Sequence, residues 1–79
     1  MTEQQIQKKK IDELESFGYY VLKLIKTNKN GIPDVIAIHP EKGVKFFEIK
    51  TPKGKVSKLQ EYRIKELESY GIPTEIFRG

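Results

Sequence analysis

Residues 31–50, Gly-Ile-Pro-Asp-Val-Ile-Ala-Ile-His-Pro-Glu-Lys-Gly-Val-Lys-Phe-Phe-Glu-Ile-Lys, leave this chain few folds to choose from. Two runs rich in β-branched and aromatic side chains, Val35–Ile38 and Val44–Ile49, flank the turn sequence His-Pro-Glu-Lys-Gly, and together they read as a β-hairpin. With the loop at His39–Gly43, Ile38 faces Val44, and counting outward sets Asp34 opposite Glu48. Side chains alternate across a strand, so Lys50 shares the face of Glu48. Opposed side chains have Cβ atoms about 4.5–5.5 Å apart, and like charges placed there destabilise a sheet. Two carboxylates and an amine thus end a face that is otherwise apolar (Ile36, Ile38, Val44, Phe46). A divalent cation between the acids is the simplest compensation. The competing reading makes both acids solvated strand ends, with Lys50 neutralising one of them. A register slip of one residue would separate them onto opposite faces.

The flanking segments supply helices and two more strands. Thr2 followed by Gln5 fits a capping box opening a helix that runs to about Phe17. Ile6, Lys10, Leu14 and Phe17 share one stripe, and Glu3 begins it. Glu3 is then either an acid favoured by the helix dipole or one aimed inward at the acidic cluster. Lys8 and Lys9 read as a solvated face, with Lys10 laying its stem along apolar surface. Gly18 ends the helix, and the same Leu-Glu-Ser-aromatic-Gly stop recurs at Leu67–Gly71. Tyr19–Lys26 reads as a strand with apolar residues on both faces, as expected of one largely covered by helices.

Thr27–Gly31 is a turn, and of the lysines leading towards Asp34, Lys26 and Lys29 are candidates for phosphate contact. Lys53 and Lys55, in the short basic loop Thr51–Lys55, are two more. Ser57 opens a second helix to about Tyr70, and Ser57-x-x-Gln60 is itself a capping box. Against that purely structural account of Gln60, the stripe Val56, Gln60, Ile64 and Leu67 points it at the sheet. Pro73–Phe77 makes a last strand. His39, the lone histidine, sits in the hairpin turn, where solvent exposure is expected, about 13 Å from Asp34 by strand rise. Histidine-based hydrolysis is disfavoured.

A chain of 79 residues makes a single domain, 1–79, with a thin core that oligomerisation often supplements. No apolar run approaches a membrane span, and no signal-peptide core opens the chain. The absence of cysteine excludes disulfides and thiolate metal sites and fits an intracellular protein. The net charge of +4 favours a polyanionic partner.

Pro33-Asp34 followed by Glu48-Ile49-Lys50 resembles the motif of the PD-(D/E)XK nuclease superfamily. Gly31-Ile32 ahead of it, and Thr51-Pro52, Gly54-Lys55 and Ser57-x-x-Gln60 behind it, resemble the VRR-NUC (virus-type replication-repair nuclease) branch. That branch includes compact stand-alone phage forms, and the likeness covers nearly the whole chain. The resemblance implies an α/β (α+β) fold: a restriction-endonuclease-like core of order αβββαβ, with helices against a small mixed sheet. It implies a Mg2+ site, with Mn2+ a plausible substitute, held by Asp34, Glu48 and the backbone carbonyl of Ile49, and Glu3 matches a helix glutamate that contributes. Lys50 and Gln60 would work beside the reacting phosphate. The implied protein is a homodimeric DNA endonuclease acting on branched substrates such as four-way junctions, phage- or prophage-encoded. The alternative from another class is a basic nucleic-acid-binding module without catalysis. Asp34, Glu48 and Lys50 together favour the enzyme, because acids at a DNA surface oppose binding unless a metal offsets them. A structural protein that assembles through the hairpin would leave the charge cluster unexplained.

Overall fold

The hairpin forms in the expected register. The computed structural model describes residues 1–79, and in it β2 (Val35–His39) pairs antiparallel with β3 (Gly43–Lys50), Ile38 opposite Val44 and Val35 opposite Phe47. Gly43 closes the turn at φ +84°, a left-handed conformation that glycine adopts without a Cβ penalty. His39 corrects the expectation of a solvated side chain. Its Nδ1 accepts hydrogen bonds from the amides of Glu41 and Lys42, both at 3.1 Å, and its ring lies 4.9 Å from that of Tyr19. The histidine caps the turn.

The remaining elements are α1 (Glu3–Ser16), β1 (Tyr20–Lys23), α2 (Lys58–Ser69) and β4 (Thr74–Arg78), in the order αβββαβ. Both helices open with the capping boxes seen in sequence, Thr2 with Gln5 and Ser57 with Gln60. The strands stand in the order β1-β2-β3-β4. The first three are antiparallel, and β4 returns through α2 to run parallel to β3. The sheet is therefore mixed, as a βαβ unit appended to a meander requires.

Alternation divides the sheet into two unlike faces. Val35, Ala37, Phe47 and Ile49 project to one side and form the core with Ile6 and Leu14 of α1. Lys10, expected to lay its stem along this surface, does more: its ammonium sits 4.5 Å from the Phe77 ring centroid and 2.7 Å from Glu13 Oε1. The opposite face carries Ile36, Ile38, Phe46 and Glu48, with α2 set against its β3–β4 half. No residue of α2 is fully buried.

The first strand departs from expectation. It spans Tyr20–Lys23 rather than Tyr19–Lys26, and it is an edge strand paired only with β2. On the half of the α2-bearing face that this helix does not reach, Tyr20 and Leu22, paired with Ile38 and Ile36, remain 66% and 43% exposed. Apolar residues on both faces here mark an uncovered edge, not a buried strand.

The connection from β1 to β2 is braced against α2. Arg63 Nε donates to the Asn30 carbonyl at 2.8 Å, and a Cβ at Gly31, where φ is +81°, would fall 2.7 Å from Leu59 Cγ. A Cβ at Gly43 would meet nothing within 4 Å. Gly31→Ala and Gly43→Ala therefore share the left-handed penalty, and only the first adds overpacking, at about 1–3 kcal/mol. Urea unfolding of the two variants should show Gly31→Ala less stable than Gly43→Ala by about 1 kcal/mol or more; equal losses would mean that the loop is not seated on α2.

Candidate active site

The topology gathers chain segments at one end of the sheet. Because β1 and β3 run opposite to β2, and β4 runs with β3, the C-terminal ends of β1, β3 and β4 meet the N-terminal end of β2. Leu24 lies just past β1, and its amide donates to the Asp34 carbonyl at 2.8 Å. Asp34 is thus held as a continuation of β2, directly outward from the Val35–Phe47 pair and across from Glu48. Its Oδ2 accepts the Ile49 amide at 2.9 Å, so the carboxylate reaches over the hairpin and caps the end of β3. Buried Pro33 precedes it and fixes the approach.

Glu48 is the anomaly of the structure. It is 1% exposed, the sole charged residue among the buried positions. Gln60 Nε2 donates to its Oε2 at 3.2 Å, and the Lys50 ammonium lies 3.6 Å from the same oxygen. Its Oε1 is buried without a partner. The two readings of Gln60 are both realised, on different atoms. Gln60 Oε1 accepts the Ser57 amide at 2.9 Å and completes the capping box, while its Nε2 holds Glu48.

Burial first, then the neighbouring Asp34, pushes the Glu48 carboxyl from 4.5 up to about 7, against an opposing pull from Lys50. Protonation lets it donate to Asp34 and removes one of two adjacent charges. A hard divalent cation would relieve the same strain. The donor set suits one: the carboxylates of Asp34 and Glu48, the latter with Oε1 orphaned, and a carbonyl. That carbonyl belongs to Ile49. The Lys50 carbonyl accepts from Gly79 on the β4 side, so the preceding carbonyl faces Asp34, as its amide does.

Glu3 does not join them. It is exposed in the first turn of α1, whose Ile6 and Leu14 pack on the opposite face of the sheet, and no third acid or histidine completes a cluster. Of the expected stripe, Ile6 and Leu14 turn inward, with Lys10 half-buried, but they address the core rather than the acids. Phe17 at its end is 65% exposed. Lys26 and Lys29 lie exposed on the loop before Asp34, and Lys53 and Lys55 on the loop after Lys50, all at the site end of the sheet. Sequence reading overlooked Arg78. It is the register partner of Lys50, and its guanidinium donates to the carbonyls of Thr51 and Gly54, pinning the basic loop. The parallel pairing of β3 with β4 was the signal that would have found it.

The acid pair makes a stability prediction for metal-free protein. Unfolded Glu48 loses its proton near 4.5 and folded Glu48 near 7, so between those values the unfolded state binds fewer protons. Stability therefore falls as pH rises through that window, by about 3 kcal/mol for this group. Glu48→Gln should show a flatter pH profile of urea stability than wild type in chelator, with the gap closing below the window. Parallel profiles would show that Glu48 titrates normally.

A family model described as the VRR-NUC domain matches residues 2–79. Comparison with curated proteins and with solved structures returned no match. The family is of nuclease type and of PD-(D/E)XK-like fold, which agrees with the αβββαβ order and the small mixed sheet found here. With the match running over the whole chain, this protein belongs to the VRR-NUC domain family.

Proposed function

We propose that this chain is a metal-dependent endonuclease that hydrolyses DNA phosphodiesters, with Asp34, Glu48, Lys50 and Gln60 as its working side chains. One observation carries the reading: a fully buried glutamate facing an aspartate, with one oxygen left unpartnered. Burying a carboxylate costs several kcal/mol in real proteins, and Gln60 and Lys50 offset that cost at one oxygen only, a burden that a structural or purely DNA-binding domain has no reason to keep.

Asp34, Glu48 and the Ile49 carbonyl are the groups that would hold Mg2+, with Mn2+ as substitute. When bound, such an ion stabilises charge on phosphoryl oxygens and makes a water nucleophilic at neutral pH. The protein's own side chains do the rest. Gln60 occupies Glu48 Oε2 and leaves Oε1 free for a ligand. Lys50 brings positive charge to the phosphate as negative charge develops on it. Lys26, Lys29, Lys53 and Lys55 engage flanking phosphates from the two loops at the same end of the sheet, and Arg78 keeps the second loop in place.

Branched DNA, four-way junctions included, fits a homodimer with two such sites. The exposed apolar side chains Tyr20 and Leu22 on the uncovered half-face, with Tyr62 on α2, support pairing of two copies. Such work belongs to replication, repair or recombination inside a cell, phage-encoded forms included. No helix is long and apolar enough to cross a membrane.

The test is single-turnover nicking of a labelled junction in Mg2+, with DNA affinity measured separately in Ca2+. Asp34→Ala should abolish nicking. Lys50→Met, which keeps the acids and most of the apolar stem, should cut at least about 100-fold more slowly while affinity changes little. Lys29→Met should do the reverse, weakening binding and sparing the rate at saturation. Wild-type nicking by Asp34→Ala would remove the site from this account, and a Lys50→Met defect confined to affinity would make Lys50 a backbone contact.

A further inference from the structure

The loop joining β1 to β2 carries an apolar side chain that the fold does not use. Ile25 is 90% exposed, the most exposed of the large hydrophobic residues. Isolated surface hydrophobics are ordinary, but three features set this one apart. It lies immediately beyond Leu24, whose amide is bonded to the Asp34 carbonyl, so it is carried at the edge of the acid pair. It sits in a stretch from Ser16 to Pro33 that contains Lys23, Lys26 and Lys29 and no acid. Finally, its loop is held from several directions. Thr27 Oγ1 donates to the Lys29 carbonyl at 2.6 Å, Arg63 holds the Asn30 carbonyl, and Gly31 lies against Leu59. Ile25 is displayed on a braced support, not on a free strand.

Beside it the loop borders an open depression of about 220 Å³, lined by Ile25, Lys26, Thr27, Asn30 and Gly31 among others. That is roughly seven waters' share of liquid volume, enough to receive a flat ring system. Its lining is mostly polar and includes Asn30.

Resting on the nuclease reading above, we propose that Ile25 is a specificity-determining wedge. It enters an already weakened base step where a DNA duplex branches or is interrupted, and the nucleotide it displaces occupies the adjoining hollow. Apolar wedges inserted between base steps unstack them, and the cost is lowest where stacking is already broken. The flanking lysines hold the phosphates on either side and carry no sequence information. The wedge therefore selects DNA shape, and its place next to Asp34 sets the scissile phosphate close to the opened step.

The experiment places 2-aminopurine, whose fluorescence rises on unstacking, at the branch point of a four-way junction and at the middle of a linear duplex. Binding is measured in Ca2+ for wild type, Ile25→Ala and Ile25→Met. Wild type should raise the branch-point signal and leave the linear one unchanged. Ile25→Ala should lose most of that rise and about tenfold of the preference for junction over duplex, with an unaltered melting temperature. Ile25→Met, still long and apolar, should retain both. The proposal is overturned if Ile25→Ala keeps the signal and the preference, or if its loss is equal on junction and duplex. Cleavage by wild type without any 2-aminopurine response would sink the wedge and leave the nuclease standing. A wild-type protein that neither binds nor cuts DNA would sink both.

Discussion

The structure turns on a repulsion: Asp34 and Glu48 are set against each other at the end of a hairpin, and one of them is buried. Hairpin register makes the juxtaposition unavoidable once Ile38 faces Val44. What surrounds it only partly offsets the cost. The Ile49 amide satisfies an Asp34 oxygen, Gln60 and Lys50 address one oxygen of Glu48, and the other oxygen has nothing. Departures of this kind from the rule that buried polar groups are paired tend to mark functional sites, because the stability they forgo has to be recovered elsewhere.

Here it is recovered on the other side of the sheet. The side chains of Val35, Ala37, Phe47 and Ile49 close on Ile6 and Leu14 of α1, while α2 contributes no fully buried residue. The odd-numbered positions of the hairpin hold the fold together, and the even-numbered positions near its end carry the charged side chains Asp34, Glu48 and Lys50. Strand alternation keeps the two tasks one residue apart without mixing them. Four strand ends and two basic loops then converge on the same end of the sheet, so a small chain can present two carboxylates, Lys50 and four exposed lysines together.

Much of this was legible in the sequence, for local reasons. The hairpin register followed from loop length and strand composition, both helix starts from capping boxes, and the αβββαβ order of elements from the succession of helical stripes and apolar runs. What escaped was tertiary. Nothing within Tyr19–Lys26 says whether a helix will cover the strand, so an edge strand with one open face read as a covered one. The middle of the stripe beginning at Glu3 turns inward at Ile6, Lys10 and Leu14, but a stripe does not specify which face of a sheet it will meet. His39 looked free because its turn-capping bonds are to backbone amides, which leave no mark in the sequence. Gln60 looked like a choice between cap and site because the two ends of one amide were not considered separately.

The central claim is that the acid pair is a cation site, and the direct measurement is the titration of the Glu48 side-chain carboxyl by carbon-13 NMR, with and without Mg2+. Without metal the midpoint should lie near pH 7. Saturating Mg2+ should return it to the ordinary carboxylate range or below, and Asp34→Asn should abolish that response to the ion. A Glu48 midpoint that Mg2+ leaves in place, in protein shown to be folded, would contradict the account.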